Sequence, residues 1–298
     1  MKIKKKCFKY LVYISLLFLI YYIIKNDYLQ IPKIDSLFSL FISIIFLLVT
    51  FILQAINWHQ ILKSELPISV KDAISSVGLS IFTKYIPGKV MVILGKVAFI
   101  NNKYQYSSKN LISISMYDQI IVLWLGLIFG SIPFFSIKSF KVYIIYYLFL
   151  LFVFTLFIFT RLFHNIIERL SKMFLKKEIK IPRLKFKETV KALPSFVLFW
   201  IILSVGFYFF VNSLTADPVS IWSGFSFALA ATFGIIALVA PGGIGAREGI
   251  LIVLLTSYGL DVKTATTISI ASRLWFLIGE LFIFVLGFTL DRNNKKGK

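Results

Sequence analysis

The chain has 298 residues, of which 58% are hydrophobic and only 15% are charged, and its mean hydropathy is +0.86. A soluble domain carries about a quarter charged residues, so this composition excludes an ordinary soluble protein. Several apolar stretches approach the roughly 20 residues that cross the hydrocarbon core as a helix, and they lack the alternation of an outer-membrane barrel. We therefore predict an all-α polytopic membrane protein that forms one integral-membrane domain over residues 1–298.

The charge is strongly positive, because 33 Lys and Arg residues stand against 13 Asp and Glu residues, a formal net charge of +20. In a soluble protein such a balance indicates nucleic-acid binding. Here the basic residues cluster between the apolar runs, as the positive-inside rule describes, so no nucleic-acid partner is predicted. A basic cytoplasmic surface would instead attract anionic membrane lipids.

Few residues could support catalysis or bind a metal. The one cysteine, Cys7, excludes an internal disulfide, and the two histidines, His59 and His164, form no metal-ligand cluster. The sequence contains no P-loop, dinucleotide fingerprint or Ser/His/Asp grouping. We predict no cofactor, no metal and no catalytic residue, and we expect the chain not to be an enzyme.

Six apolar runs are long enough to be complete spans, and the charges of the connections orient them. They cover residues 8–24, 37–58, 111–135, 142–160, 192–212 and 265–289. The first run resembles a signal peptide, but no small-residue cleavage site follows it, so we predict an uncleaved helix. The basic N-terminus, the basic connection 161–191 and the basic tail place both termini in the cytoplasm. The loop 136–141, which carries two lysines, is the one connection that disagrees with this orientation.

Two further apolar regions are interrupted by proline and glycine. Pro87 and Gly88 break residues 70–100, and a Pro-Gly-Gly sequence at 241–243 breaks residues 220–259. The charges place the connections before and after each of these regions on the same face of the membrane, so each region must return to the face from which it starts. We therefore predict two re-entrant hairpins, one from each face. The alternative for 220–259 is a complete span followed by a short returning one, which has the same parity.

The two interrupted regions resemble each other. Pro87 is followed by Asp118 after 31 residues, and Pro241 is followed by Arg273 after 32 residues. This spacing predicts an inverted repeat, with repeat 1 at about 37–135 and repeat 2 at about 192–289, a recurring design of secondary transporters. The alternative is chance resemblance in an isoleucine-rich chain.

The residues after each break could bind an anion. A proline at the start of a helical segment leaves the first N–H groups and the positive end of the helix dipole available inside the membrane. Each half-helix also has a cation in its first turn, and the glycines permit close approach of a headgroup. We predict a lipid headgroup or phosphate site formed by Lys89, Gly242, Gly243, Gly245 and Arg247, with helix breaks at Pro87, Gly88 and Pro241. The alternative places both breaks near an interface, where the cations reach water.

Four further charged residues form a predicted intramembrane network: Asp118, Glu248, Arg273 and Glu280. Charges inside apolar spans usually face the protein interior and pair. Arg273 and Glu280 are seven residues apart, so both can face one cavity, and Asp118 is the expected counter-ion of Arg273. Glu248 could neutralise Arg247 or take up a proton during transport. The alternative is a set of ion pairs that only hold helices together.

Four stretches of the sequence resemble a known family: PGGIGAREGILIVLL at 241–255, YIPGKV at 85–90, MYDQIIVLWLG at 116–126 and SRLWFLIGELFIFVLG at 272–287. The family they resemble is the integral-membrane domain of bacterial lysylphosphatidylglycerol synthase/flippases and their stand-alone relatives. The resemblance implies an inner-membrane protein that handles a lipid with an anionic or modified headgroup. It places on the family's motif positions Pro87, Gly88, Lys89, Asp118, Pro241, Gly242, Gly243, Gly245, Arg247, Glu248 and Arg273. Because only residues 290–298 follow the last predicted span, we expect no aminoacyl-transferase domain.

The favoured hypothesis is a flippase-like translocase in cell-envelope biogenesis, whose substrate is a phospholipid or a polyprenyl-phosphate-linked lipid. One alternative is a membrane enzyme such as a glycosyl or phospho-glycosyl transferase, although the external loops offer only scattered aspartates. The other is a non-transporting scaffold that binds enzymes of envelope-glycan assembly through residues 161–191.

Overall fold

The computed structural model describes residues 32–63, 65–85, 90–160, 186–236 and 245–296, together with the isolated helical residues Asn165 and Arg169. The described part of the chain is helical apart from short connections. Its helices are α1 (Leu37–Lys63), α2 (Val70–Ser80), α3 (Val90–Tyr104), α4 (Ser108–Gly130), α5 (Ile132–Ser136), α6 (Ile144–Phe159), α7 (Phe186–Ser213), α8 (Ser226–Ile236), α9 (Ala246–Ser257) and α10 (Val262–Lys296). Short 3₁₀ helices cover Ile81–Tyr85, Lys138–Tyr143 and Ile221–Phe225.

Five helical segments are long and apolar enough to cross a membrane: 37–63, 108–136, 138–159, 190–213 and 262–292. They confirm five of the predicted spans and the all-α polytopic fold class. The sixth predicted span, 8–24, lies outside the described residues. Only 6% of the apolar window of segment 138–159 is buried among the described residues, and the side chains of Tyr146, Phe149 and Phe152 are exposed there.

Local sequence signals set several helix boundaries. Ser69 caps α2, because its hydroxyl accepts a hydrogen bond from Asp72 N at 3.2 Å. Asp261 caps α10 by accepting from Thr264 N at 3.0 Å. Hydrogen bonds from Thr264 hold the pKa of the exposed Asp261 carboxyl below its usual range. Between α9 and α10, the chain turns at Gly259, whose φ of 101° is a left-handed conformation that favours glycine.

Helices α1 and α7 pack side by side and run antiparallel. At one end, Ser213 O accepts hydrogen bonds from Asp35 N and Ser36 N, at 2.8 and 3.2 Å. At the other end, the Ser195 hydroxyl donates to Gln60 Oε1 at 2.9 Å. We call the end where α1 finishes and α7 begins the first face, and the opposite end the second face.

The first hairpin, residues 70–104, starts and ends at the first face. Helix α2 begins a few residues after α1 ends. The Tyr104 hydroxyl, at the end of α3, donates to Asp72 Oδ2 at 2.6 Å, and Lys103 forms an ion pair with Asp72 in the first turn of α2. The two ends of the hairpin are therefore adjacent, as a re-entrant segment requires.

The second hairpin, residues 221–257, starts and ends at the second face. Its first residues follow the end of α7, and Phe225 stacks on Phe129 near the end of α4 with ring centroids 6.1 Å apart. At its other end, the Tyr258 hydroxyl lies 2.5 Å from that of Ser136, which also follows α4. The apolar helical part of its first arm, 221–236, is too short to span a membrane. The described arms of both hairpins thus return to the face from which they start, which favours the re-entrant interpretation of 220–259.

The first arm of each hairpin packs against the span that follows the other hairpin. Helix α2 packs on α10, where a Cβ added to Gly78 would overlap the carbonyl oxygen of Ile283. Helix α8 packs on α4, where a Cβ on Gly126 would overlap the Thr232 hydroxyl. These glycines permit close helix approach. An inverted repeat produces this exchange, although the repeat boundaries at 37–135 and 192–289 remain a prediction.

Candidate functional site

The described residues next to both interruptions meet one face of α10 at the middle of that helix. The polar residues Ser269, Ser272, Arg273 and Glu280 recur at the three- and four-residue spacing of a helical face. Within the segment Val262–Arg292, Arg273 lies about 16 Å from the start and Glu280 about 18 Å from the end at 1.5 Å per residue. This face of α10 therefore lies near the centre of the bilayer.

The second hairpin contacts this face through the first turn of α9. Gly245, the residue before the helix, has a φ of 81° and a ψ of −51°, which side-chain-bearing residues rarely adopt. Its N–H donates to Glu248 Oε2 at 2.8 Å, so Glu248 caps its own helix. Arg273 Nε donates to the other oxygen, Glu248 Oε1. One carboxylate thus joins the start of α9 to α10.

Arg247 is a buried cation whose direct partners are uncharged. The side chain is 7% exposed, and its Nη2 donates to the Ser272 hydroxyl at 2.6 Å. The guanidinium lies over the rings of Phe227 and Phe276, at 4.7 and 5.7 Å from their centroids. Its Nε is buried and has no hydrogen-bond acceptor among the described residues. Buried donors are nearly always satisfied, so this N–H marks a place for an acceptor.

The first hairpin reaches the same face through Lys84 and Tyr85, just before its break. The Tyr85 hydroxyl donates to Glu280 Oε2 at 2.9 Å, and Lys84 forms an ion pair with Glu280 Oε1. The Lys84 ammonium also lies 5.0 Å from the centroid of the Phe276 ring, which Arg247 shares. The described residues beside both interruptions therefore adjoin one cluster on α10.

The cluster carries more positive than negative charge among the described residues. It contains three cations, Lys84, Arg247 and Arg273, and two anions, Glu248 and Glu280. Each glutamate is already paired with a lysine or arginine other than Arg247. The N-terminus of α9 adds its positive dipole end beside Arg247. Chemically, this arrangement can accept one further anion.

Asp118 is not the counter-ion of Arg273, contrary to the sequence-based expectation. Its carboxylate accepts from Lys96 Nζ at 2.8 Å, and both side chains are buried. The Lys96 ammonium also lies 4.2 Å from the centroid of the Trp58 ring. The reason is packing: Asp118 is on α4, which packs against α3 and its Lys96, whereas Arg273 on α10 faces α9. Asp118 therefore lies outside the cluster.

Glu248, for which neutralisation of Arg247 was one of two possibilities, makes its ion pair with Arg273 instead of a direct contact with Arg247. Arg247 and Glu248 are adjacent in sequence but project differently from the helix. They remain within electrostatic range of each other.

Several predicted site residues lie outside the described part of the chain: Pro87, Gly88, Lys89, Pro241, Gly242 and Gly243. The nearest described residues to them, Tyr85 and Gly245, donate hydrogen bonds to Glu280 and Glu248 of the cluster. The remaining predicted residues, Gly245, Arg247, Glu248, Arg273 and Glu280, are brought together there.

Sequence reasoning missed Tyr85, Ser272 and the two rings that enclose Arg247. The available signals were weak. Tyr85 directly precedes the first break, and Ser272, Phe276 and Glu280 share one face of α10. In the described ranges, no group of three or more His, Cys, Asp or Glu could hold a metal ion.

Comparison with known proteins gives one result for this chain. The family model for the lysylphosphatidylglycerol synthase TM region matches residues 8–287, nearly the whole sequence. Comparison of the chain with curated proteins, and with solved structures, returned no match. The matched region includes both hairpins and all of the charge cluster.

Proposed function

We propose that this chain, which belongs to the lysylphosphatidylglycerol synthase transmembrane family, binds the phosphate of an anionic lipid at Arg247 and moves that lipid between the leaflets. The family supports a lipid-related role in the membrane. We further propose that the protein translocates this lipid, and that the substrate is a phospholipid or a polyprenyl-phosphate-linked lipid of the cell envelope. The protein acts as a transporter and not as an enzyme.

The observation that carries the proposal is the environment of Arg247. An arginine at the centre of a membrane costs about 2.5–3.5 kcal/mol on insertion scales. Its direct partners here are a hydroxyl and two aromatic rings, and its Nε is without an acceptor in the described residues. A lipid phosphate would supply the missing acceptor and the missing negative charge.

The two hairpins support movement across the membrane. They start from opposite faces and meet at α10, so the cluster lies between two re-entrant segments. Secondary transporters with inverted repeats and broken helices bind their substrates at such midplane positions. We place the protein in the inner membrane with the first face towards the cytoplasm, since the basic termini and the connection 161–191 carry most of the loop charge.

A titration with short-chain lipids tests the binding step. Dihexanoyl phosphatidylglycerol should raise the thermal unfolding midpoint of the purified protein, because a ligand that binds only the folded state stabilises it. Dihexanoyl phosphatidylcholine, whose headgroup is net neutral, should have a much smaller effect. Arg247→Gln should remove the phosphatidylglycerol response. Lys263→Gln removes an exposed cation at the start of α10 and should leave it intact.

The proposal fails if Arg247→Gln protein responds to phosphatidylglycerol as the unaltered protein does. The transport step is tested in vesicles that contain fluorescent phosphatidylglycerol, whose exposed copies are quenched with dithionite. The unaltered protein should expose the inner-leaflet copies. Arg247→Ala should abolish this exposure without loss of folded protein, and Lys263→Gln should not.

A further inference from the structure

We infer that two latches on α10, Glu280 with Lys84 and Tyr85, and Arg273 with Glu248, close the Arg247 site towards opposite faces of the membrane. The inference rests on the proposed function only in identifying Arg247 as the enclosed binding residue. The latches themselves follow from the contacts of Lys84, Tyr85 and Glu248 with α10.

The first latch joins the first hairpin to α10. Glu280 is 1% exposed, and its two oxygens accept from Tyr85 Oη and Lys84 Nζ. Both donors belong to the last turn before the break at the tip of the hairpin. Lys84 keeps 26% of its side chain exposed, so this latch lies at the edge of the buried cluster.

The second latch joins the second hairpin to α10. Glu248 accepts from Arg273 Nε through one oxygen and from Gly245 N through the other. The Ser269 hydroxyl, one turn before Arg273, also donates to Glu248 O at 3.3 Å. The carboxylate and the backbone of the first turn of α9 are thus both fixed to α10.

The positions along α10 place the latches on opposite sides of Arg247. Helix α10 runs from the second face to the first, because Gly287 near its end packs on Gly78 of the first hairpin. Glu280 is seven residues, about 10 Å, closer to the first face than Arg273. Arg247 lies beside Ser272 and Phe276, so its level on α10 is between Glu280 on the first-face side and Ser269, which holds the backbone of Glu248, on the second-face side. Each hairpin enters from the face on which its own latch lies.

The contacts of each latch span the boundary between its hairpin and α10. A path from the first face along the first hairpin meets Tyr85 and Glu280 before it reaches Arg247. A path from the second face along α9 meets Glu248 and its partner Arg273 before it reaches Arg247. A site that is reached alternately from the two faces needs one contact that can open on each side of it. The two latches flank Arg247 in this way.

Cysteine accessibility measures each latch separately. The sequence has one cysteine, Cys7, so Cys7→Ser provides a background without reactive thiols. The reporter of access to the Arg247 site is Ser272→Cys, a near-isosteric change at a residue that is 0% exposed and accepts a hydrogen bond from Arg247. Right-side-out and inside-out vesicles are treated with a maleimide that does not cross membranes. Lys63→Cys and Lys33→Cys, exposed at the first and second faces, report the sidedness of each preparation.

With both latches intact, the reporter should react slowly from either face. Glu280→Gln should raise the rate from the first face alone, and Glu248→Gln from the second face alone. Each rise should be about tenfold, because a minor open state is populated at about 0.1–10% and can gain at least that factor when it becomes dominant. Lys84→Glu should open the first face, and combining it with Glu280→Lys should close it again.

The inference is overturned if both glutamine variants open the same face, or if neither alters labelling while the melting temperatures show folded protein. Should a glutamine variant fail to fold, Tyr85→Phe removes the hydroxyl that donates to Glu280 and should open the first face by a smaller factor. No lipid is added in this assay. If Arg247→Gln abolishes lipid binding but the latches do not respond, the latch inference alone fails. If the latches respond but Arg247→Gln binds phosphatidylglycerol normally, the proposed function alone fails.

Discussion

The buried ion pair between Lys96 and Asp118 gives the sharpest prediction for stability. The two side chains are 6% and 7% exposed, and their charged atoms lie 2.8 Å apart. Removing one partner of such a pair costs about 3–5 kcal/mol, because the remaining charge is left buried without compensation. Lys96→Met should fall at the upper end of this range, since it leaves the Asp118 carboxylate alone.

Asp118→Asn should cost less than Lys96→Met. The asparagine oxygen can still accept the hydrogen bond, and the Lys96 ammonium keeps its contact with the Trp58 ring at 4.2 Å. A desolvated cation–π contact contributes about 2 kcal/mol, which offsets part of the lost pairing. We therefore expect a loss of about 3 kcal/mol. The double variant Lys96→Met/Asp118→Leu should lie close to the unaltered protein, because both charges are gone.

The assay is reversible unfolding in mixed detergent micelles, followed by tryptophan fluorescence, on the four members of this double-mutant cycle. The coupling energy between Lys96 and Asp118 should be large and favourable. A double variant as unstable as Lys96→Met would refute the reasoning. So would a stronger coupling of Asp118 to Arg273 than to Lys96, which would restore the pairing expected from sequence.

Three further predictions concern local structure and share the same unfolding assay. Gly78→Ala should destabilise by about 1–3 kcal/mol through overpacking, because its Cβ would overlap Ile283 O. Gly249→Ala is the matched control, because no described residue lies within 4 Å of the added Cβ, and it should be neutral or stabilising. Equal losses in the two variants would contradict the close approach of α2 and α10. Gly245→Ala should cost about 1–3 kcal/mol, because φ is 81° there, and an unchanged midpoint would contradict that backbone conformation. Thr264 hydrogen bonds lower the pKa of Asp261 in the folded state, so its stabilisation is complete above the unfolded pKa of about 3.9 and is lost as pH falls through the lower folded value. Asp261→Asn should remove that acid dependence, and a variant that keeps it would exclude Asp261 as its source.

The number and type of the long helices could be predicted from sequence because apolar length is a local property. Composition alone predicts the spans at 37–58 and 192–212, and the charges of their connections predict the face of the membrane at which each span ends. Proline with glycine marked both breaks, since those residues disfavour a continuous helix wherever they stand. The return of residues 70–100 to one face follows from charge parity alone.

The pairing of the buried charges could not be predicted in the same way. Asp118 and Arg273 occupy similar positions after the two breaks, which made them plausible partners. Their actual partners depend on which helices touch, and that is set by packing between segments far apart in sequence. Lys84 and Glu280 are separated by 196 residues, and no spacing rule connects them. Close approach at Gly78 and Gly287 brings those segments together.

Native mass spectrometry of the protein, extracted in mild detergent from its own membrane, tests the central claim most directly. The account predicts that the unaltered protein and Lys263→Gln retain one phosphate-bearing lipid each, and that Arg247→Gln loses it while remaining folded. Equal retention of that lipid by Arg247→Gln would contradict a phosphate site at Arg247.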